Sequence, residues 1–274
     1  MKILCPTDFS SAATNGIEYA AKFSQKMNAS LVLLNVQRLY YHEGITMFAG
    51  GELESVHEAK ISSKMLDDIC NDINKMFKVS CSHEVISTMG RYANAIADEA
   101  NDYNLTVIGT NGVDNTYEFY FGSHSFHVAK NTYSPTLIVP LKCSYKEINN
   151  VVFASDYNKG EDLLLQQLKE FTGAFQTKLH VLHISKKDSQ VGKEIYHSFR
   201  NLTEEVLNYD SNIEFHRIIS DDPAYAIEDY MHESNADLLA TCMIPHGILY
   251  RMFHENLIKK ITSYCDYPVM IFHK

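Results

Sequence analysis

Leu105-Thr106-Val107-Ile108-Gly109-Thr110-Asn111-Gly112, followed after nine residues by Gly122-Ser123-His124-Ser125, is the stretch that decides the fold. A short apolar run leads into spaced glycines, and residues 123–131 then carry a helical pattern. A buried strand, a glycine turn and a helix N-terminus present free backbone N–H groups to an anion. Glycine suits the turn because a Cβ would block close approach, or the positive φ that turns those N–H groups inward.

Working outward, short apolar runs alternate with longer amphipathic ones, the signature of βαβ units and a parallel sheet. The first half predicts strands over 2–6, 31–36, 82–87, 105–109 and 136–139, and helices over 11–27, 54–77, 92–101 and 123–131. Asp8 and Ser10 are natural caps for the first helix. Met65, Ile69, Ile73 and Met76 recur at three- and four-residue steps and predict the buried stripe of the second helix. The second half predicts strands over 150–154, 178–184, 213–218, 237–241 and 269–272.

The halves are copies of one unit. A shift of 148 positions superposes Asp8 on Asp156, Phe23 on Phe171, Leu31 on Leu179 and Leu34 on Leu182 without a gap. A shift of 131 aligns Ala93, Ala95, Ile96, Asp98 and Thr110 with Ala224, Ala226, Ile227, Asp229 and Thr241, so the first copy carries a 17-residue insertion. Pro135 and Ile138 then match Pro268 and Ile271 at a shift of 133. Ordered identities of this kind mark a tandem repeat. The domains read as 1–141 and 148–274, joined by a short linker over 142–149 without a Gly/Pro tether. The excursion over 38–53, with Gly44, Gly50 and Gly51, reads as a loop at the carboxyl edge, where open α/β sheets bind ligands.

Composition narrows the partners. Across 274 residues the net charge is −10, and Lys and Arg form no run, which excludes a nucleic-acid partner held through a basic face. Six cysteines, Cys5, Cys70, Cys81, Cys143, Cys242 and Cys265, lack C-x-x-C spacing and read as free thiols in a reducing compartment. The N-terminus runs straight into a strand without a signal-peptide pattern, and no apolar segment is long enough to span a bilayer. A soluble cytoplasmic protein is expected.

In a doubly wound sheet the carboxyl ends of strands one, two and four converge. Here they offer Pro6-Thr7-Asp8, then Asn35-Val36-Gln37, then Gly109 and its loop. That spacing suits one nucleotide: Asp8 accepts from ribose hydroxyls, backbone atoms near Val36 read an adenine edge, and the loop with Ser123 and Ser125 holds phosphates. The bland readings stand beside these. The glycines also suit ligand-free turns, and Asp8 a helix cap.

The Pro6-Thr7-Asp8-Phe9-Ser10 opening, the G-x2-G-x9-G-S loop of Gly109, Gly112, Gly122 and Ser123, and Pro135-Thr136-Leu137-Ile138-Val139 together resemble the ATP-binding branch of the universal stress protein family. The likeness covers both halves, as a tandem form. It implies two Rossmann-like doubly wound α/β domains of the adenine nucleotide alpha hydrolase type, five parallel strands each in the order 3-2-1-4-5, with units pairing through their fifth strands. Carried across by position, it implies nucleotide contacts at Pro6, Thr7, Asp8, Val36, Gly109, Gly112, Gly122, Ser123 and Ser125, with ATP or another adenine nucleotide as ligand and Mg²⁺ arriving on its phosphates. His124 stands where the family usually has a small or apolar residue.

The second half departs from the pattern. Gly109 and Gly112 align with Ala240 and Met243, Gly122-Ser123 with Glu255-Asn256, and Pro6 with Ala154. A methionine and a carboxylate crowd and repel a triphosphate. This half is expected not to bind ATP in the same way and to serve as a built-in dimer partner; Met243, Ile244 and Ile248 would line any new apolar site.

Metal binding finds little support in spacing. His124 and His127 lie one helical turn apart with no third ligand in view, and His180 and His183, three apart in a strand, face opposite sides and cannot share an ion. The Tyr117, Phe119, Tyr120 and Phe121 cluster reads as a cover for the nucleotide or a protein contact, since no cation accompanies it. The loop offers no Lys and only Asp114 and Glu118 as carboxylates, so phosphoryl transfer lacks its usual charge neutralisation. The sequence therefore predicts an ATP-binding regulatory protein with little or no hydrolysis, with no catalytic residue and no resident metal. The rival readings are a ligand-free tandem scaffold or interaction module, and a slow ATPase.

Overall fold

The computed structural model describes residues 1–39, 51–111, 123–157, 161–175, 177–187, 190–206, 212–243 and 267–273. The chain divides into two compact units, the first built on Met1–Thr110 with Gly122–Leu141 and the second on Lys142–Lys274.

The first unit runs β1 (Lys2–Pro6), α1 (Ser11–Met27), β2 (Ser30–Arg38), α2 (Gly51–Phe77), β3 (Cys81–Thr88), α3 (Tyr92–Ala100), β4 (Leu105–Thr110), α4 (Ser123–Asn131) and β5 (Thr136–Pro140). All its strand pairs are parallel, in the order β3-β2-β1-β4-β5. The direction of winding reverses between β1 and β4, which marks the crevice outside their carboxyl ends as the place for a ligand.

Alternation along each strand assigns the helices to faces. Ile108 packs with Ala93 and Ala97 of α3 and Val128 of α4. Its neighbour Gly109 turns the other way, against Ala12 of α1. Leu4, Val32 and Leu34 join Ala100 in a second cluster on the α3 face. Helix α1 has well-formed ends: the Ser10 hydroxyl accepts from the Ala13 N–H at 3.2 Å, the Asp8 carboxylate accepts from the Ser10 N–H at 3.0 Å, and Asn28 closes it with φ 50°.

Helix α2 corrects one expectation. Its buried stripe is Leu66, Cys70 and Ile73, while Met65 and Met76 are 44% and 73% exposed. The apolar face is rotated by one position, because Leu66 and Cys70 hold the i, i+4, i+7 row with Ile73 and the methionines fall beside it.

The second unit runs β6 (Asn150–Ala154), α5 (Glu161–Phe175), β7 (Lys178–Ser185), α6 (Gln190–Val206), β8 (Ile213–Ile219), α7 (Pro223–Glu233), β9 (Leu238–Met243) and β10 (Val269–His273). Its order, β8-β7-β6-β9-β10, repeats the 3-2-1-4-5 arrangement. Among the described residues no helix is long and apolar enough to cross a membrane.

Candidate functional site

The first unit's crevice is opened by Pro6. Pairing between β1 and β4 runs through Ile3↔Leu105 and Leu4↔Thr106 and goes no further, although both strands continue. Proline has no N–H to donate, so the ladder loses a rung where the strands approach their carboxyl ends.

Beyond Pro6 the chain makes a tight, fully bonded turn. The Thr7 N–H donates to Leu34 O at 2.8 Å, its hydroxyl accepts from the Phe9 N–H at 3.1 Å, and Asn35 Nδ2 donates to Thr7 O at 2.8 Å. Phe9 sits at φ 63°, a left-handed conformation costly for a bulky residue and held by these bonds. Asp8 is left exposed at the tip, with one carboxylate oxygen accepting from Ser10.

Strand alternation also orients Val36. Ser30 and Leu34 bond toward β1 and Leu31 and Leu39 toward β3, so the even positions face β1. The Val36 N–H and C=O therefore point to the side where β1 has already ended at Pro6↔Leu34. Its side chain is partly buried against the Leu4 cluster, leaving the main chain as the group that can read a ligand.

Gly109 has a packing role of its own. A Cβ there would fall 1.9 Å from the Ala12 carbonyl oxygen, and one on Gly16 would fall 2.7 Å from the Gly109 nitrogen. The two glycines let the first turns of α1 lie directly on β4. Ser125 is buried in the first turn of α4. Ser123 belongs to the same turn. Gly112, Gly122, the 117–121 aromatics, the 40–50 part of the excursion, and Ile244, Ile248, Glu255 and Asn256 lie outside the described residues, as do the side chains of Ser123 and His124.

The second unit keeps the turn and carries the strand pairing further. Ser155 donates from its N–H to Leu182 O at 2.9 Å, its hydroxyl accepts from the Tyr157 N–H at 3.0 Å, and His183 Nδ1 donates to Ser155 O at 2.8 Å, bond for bond the pattern at Thr7. Ala154 replaces Pro6, and β6 pairs with β9 through Ala154↔Thr241. Tyr157 is buried, stacked on His183 at 4.1 Å between ring centroids and packed on Phe199 at 4.6 Å. Ile184, the counterpart of Val36, is also buried. Leu164 stands where Gly16 stands in the first unit, and the register corrects the alignment at strand four. β6 and β10 pair with β9 so that Cys242, not Ala240, takes the place of Gly109, the two extra residues of the second unit falling before β9. Leu164 and Cys242 are both buried. Burial holds His183 below the usual imidazole range, so the ring is neutral and its one N–H goes to Ser155.

Gly16 is the residue that spacing alone missed, and Asn35, read only as part of a strand end, has a side-chain bond to the Thr7 carbonyl that spacing did not show. A glycine inside a helix costs roughly 1 kcal/mol against alanine, and that cost was the available signal at Gly16. The histidine pairs behave differently from one another. His127 Nε2 meets Asn94 Oδ1 at 2.7 Å. His180 faces Tyr230 of α7 and His183 faces the α6 side, on opposite faces of the sheet.

Residues 1–140 match the family model described as Universal stress protein family. No curated protein matches the chain in sequence. Among solved structures, a universal stress protein from Archaeoglobus fulgidus DSM 4304 is similar over 99% of this chain and 98% of its own, with a TM-score of 0.76 and 19% identity. A protein of unknown function from Pseudomonas aeruginosa PAO1 covers 99% of this chain and 92% of its own at a TM-score of 0.59 and 13% identity. At these identities the likeness is one of fold. A universal stress protein solved in complex with cAMP covers 47% of this chain and 98% of its own, with a TM-score of 0.37 and 18% identity.

Proposed function

Because the chain belongs to the universal stress protein family, its first 140 residues matching that family's model, we propose that it is an adenine-nucleotide-binding regulatory protein with one competent site. The nucleotide is held in the first unit, with ATP as the favoured form and Mg²⁺ carried on its phosphates. The observation that carries this reading is the seam between β1 and β4, unpaired beyond Leu4↔Thr106 because of Pro6 and closed in the second unit by Ala154.

Around that seam the described groups suit the parts of a nucleotide. Asp8 has a carboxylate oxygen to offer a ribose hydroxyl, and the Val36 main chain offers one donor and one acceptor to an adenine edge. Ser125, with Ser123 in the same helical turn, supports the phosphates at a helix N-terminus. Pro6 and Thr7 shape the entry, and Gly109, Gly112 and Gly122 keep the loop backbone free to approach. Bound there, the nucleotide supplies a regulatory state rather than a reaction, since no Lys or Arg lies between Gly109 and Asn131 except Lys130. The second unit does not take ATP in this way: its strand end is occupied by Tyr157 and His183.

Isothermal titration of the full chain with Mg·ATP tests the reading, beside Gly122→Glu, which copies the second half. One nucleotide per chain, binding weakened at least ten-fold in the variant, and phosphate release no faster than the buffer background are expected. Two equivalent nucleotides per chain, or no binding and no rise in melting temperature, would reject it. Sustained phosphate release lost in Gly122→Glu would favour the ATPase reading instead.

A further inference from the structure

The second unit brings together three potential ligands that lie 34 or more residues apart or on alternate strand positions: His180 on β7 and Glu214 and His216 on β8. The parallel register sets His180 beside Glu214 and Leu182 beside His216, so all three side chains stand on the face covered by α7. Glu214 Oε2 lies 3.7 Å from His180 Nδ1 and 3.5 Å from His216 Nε2, and the ligand atoms of all three fall within 4.8 Å of one another. Ligands at about 2.0–2.1 Å around a tetrahedral ion are themselves roughly 3.3 Å apart, so two of these separations are already close to that spacing.

We propose that His180, Glu214 and His216 form a binding site for a divalent transition-metal ion of the zinc class. Two imidazoles and one carboxylate are a donor set that suits such an ion. His216 Nε2 is buried and faces Glu214 Oε2 at 3.5 Å, aimed into the space between the three side chains. The His180 side chain is only 6% exposed, so an ion held there would be shielded from solvent.

The surrounding charges fit this use of the carboxylate. Lys178 Nζ binds Glu214 Oε1 at 2.7 Å, which orients the group and leaves Oε2 facing the imidazoles. The Tyr230 hydroxyl lies 3.0 Å from His180 Nδ1. On metal binding the Nδ1 lone pair turns from that hydroxyl to the ion, and the hydroxyl is left beside the fourth position. Glu214, 45% exposed, is the side from which the ion enters.

The test is Zn²⁺ uptake by the full chain after chelator stripping, measured in competition with a chromophoric chelator, beside Glu214→Gln and His216→Gln. One ion per chain, with affinity falling more than ten-fold in each variant while the metal-free melting temperature holds, is expected. No uptake by the wild type, or equal uptake by folded variants, overturns the proposal. A readout independent of the variants' folding is the imidazole ¹⁵N spectrum of the wild type. Zn²⁺ must shift His180 and His216; shifts confined to other histidines overturn the assignment.

Discussion

Gly109→Ala places one methyl group where α1 meets β4. The new Cβ would lie 1.9 Å from the Ala12 carbonyl oxygen, 2.6 Å from its carbon and 3.2 Å from Ala13 Cα. An ordinary C···O contact is about 3.3 Å or more, so the first turn of α1 must retreat by about 1.4 Å. Both partners are backbone, and no side-chain rotation relieves the overlap. Overpacking of this kind costs about 1–3 kcal/mol where side chains can yield, so the upper end, about 3 kcal/mol, is expected here. At about 2–4 °C per kcal/mol for a domain of this size, the first unit's transition should fall by about 6–12 °C. Differential scanning calorimetry of the full chain reads this directly. The paired substitution is Gly173→Ala in α5, where a Cβ meets nothing within 4 Å and which should gain about 0.5–1 kcal/mol from helix propensity. A Gly109→Ala loss below about 1 kcal/mol would refute the close-packing account and return this glycine to the phosphate loop alone.

Asn35→Ala removes the buried amide that donates to Thr7 O; a loss of about 1–3 kcal/mol is expected from the orphaned carbonyl, read by urea denaturation, and an unchanged midpoint would contradict it. His273 is held down to about 4 by burial, so the unfolded chain takes up this proton first. The second unit should therefore lose stability as pH falls from about 6.5 to about 4, and His273→Gln should flatten that part of a melting-temperature profile. Cys81 Sγ donates to Cys70 Sγ at 3.0 Å, and this bond holds the Cys70 thiol below its usual range while pushing Cys81 up. Diamide should remove two of the chain's six thiols in titration, and neither in Cys70→Ser; no loss in the wild type would show the pair unable to close.

Much of this was legible in particular residues. Ser10, read as a cap, does cap α1, and the expected span 11–27 is the observed one. The strands run one or two residues further than their apolar cores, because ladder bonds continue at Arg38 and Ser185 after side-chain patterning stops. The strand order came from family likeness, since no local pattern encodes which parallel neighbours pair. At α2 the regular methionines misled, being flexible residues that flank a stripe set by Leu66 and Cys70. Pro6 was read as a contact residue, while its missing N–H, a property plain in any sequence, emerged as a device only once β4 lay beside it. His180, Glu214 and His216 were invisible together because the register between β7 and β8 alone brings them to one place.

The Tyr157 ring stacked on His183 has a thermodynamic consequence. A protein stabilised by a dissociable ligand melts higher as that ligand becomes abundant, by RT ln(1 + [L]/Kd). On the function proposed above, a strand end filled by its own tyrosine is saturated at every concentration, so the second unit would not register the cell's nucleotide level in its stability. Within one polypeptide, one unit would then read the nucleotide pool while the other holds a constant reference.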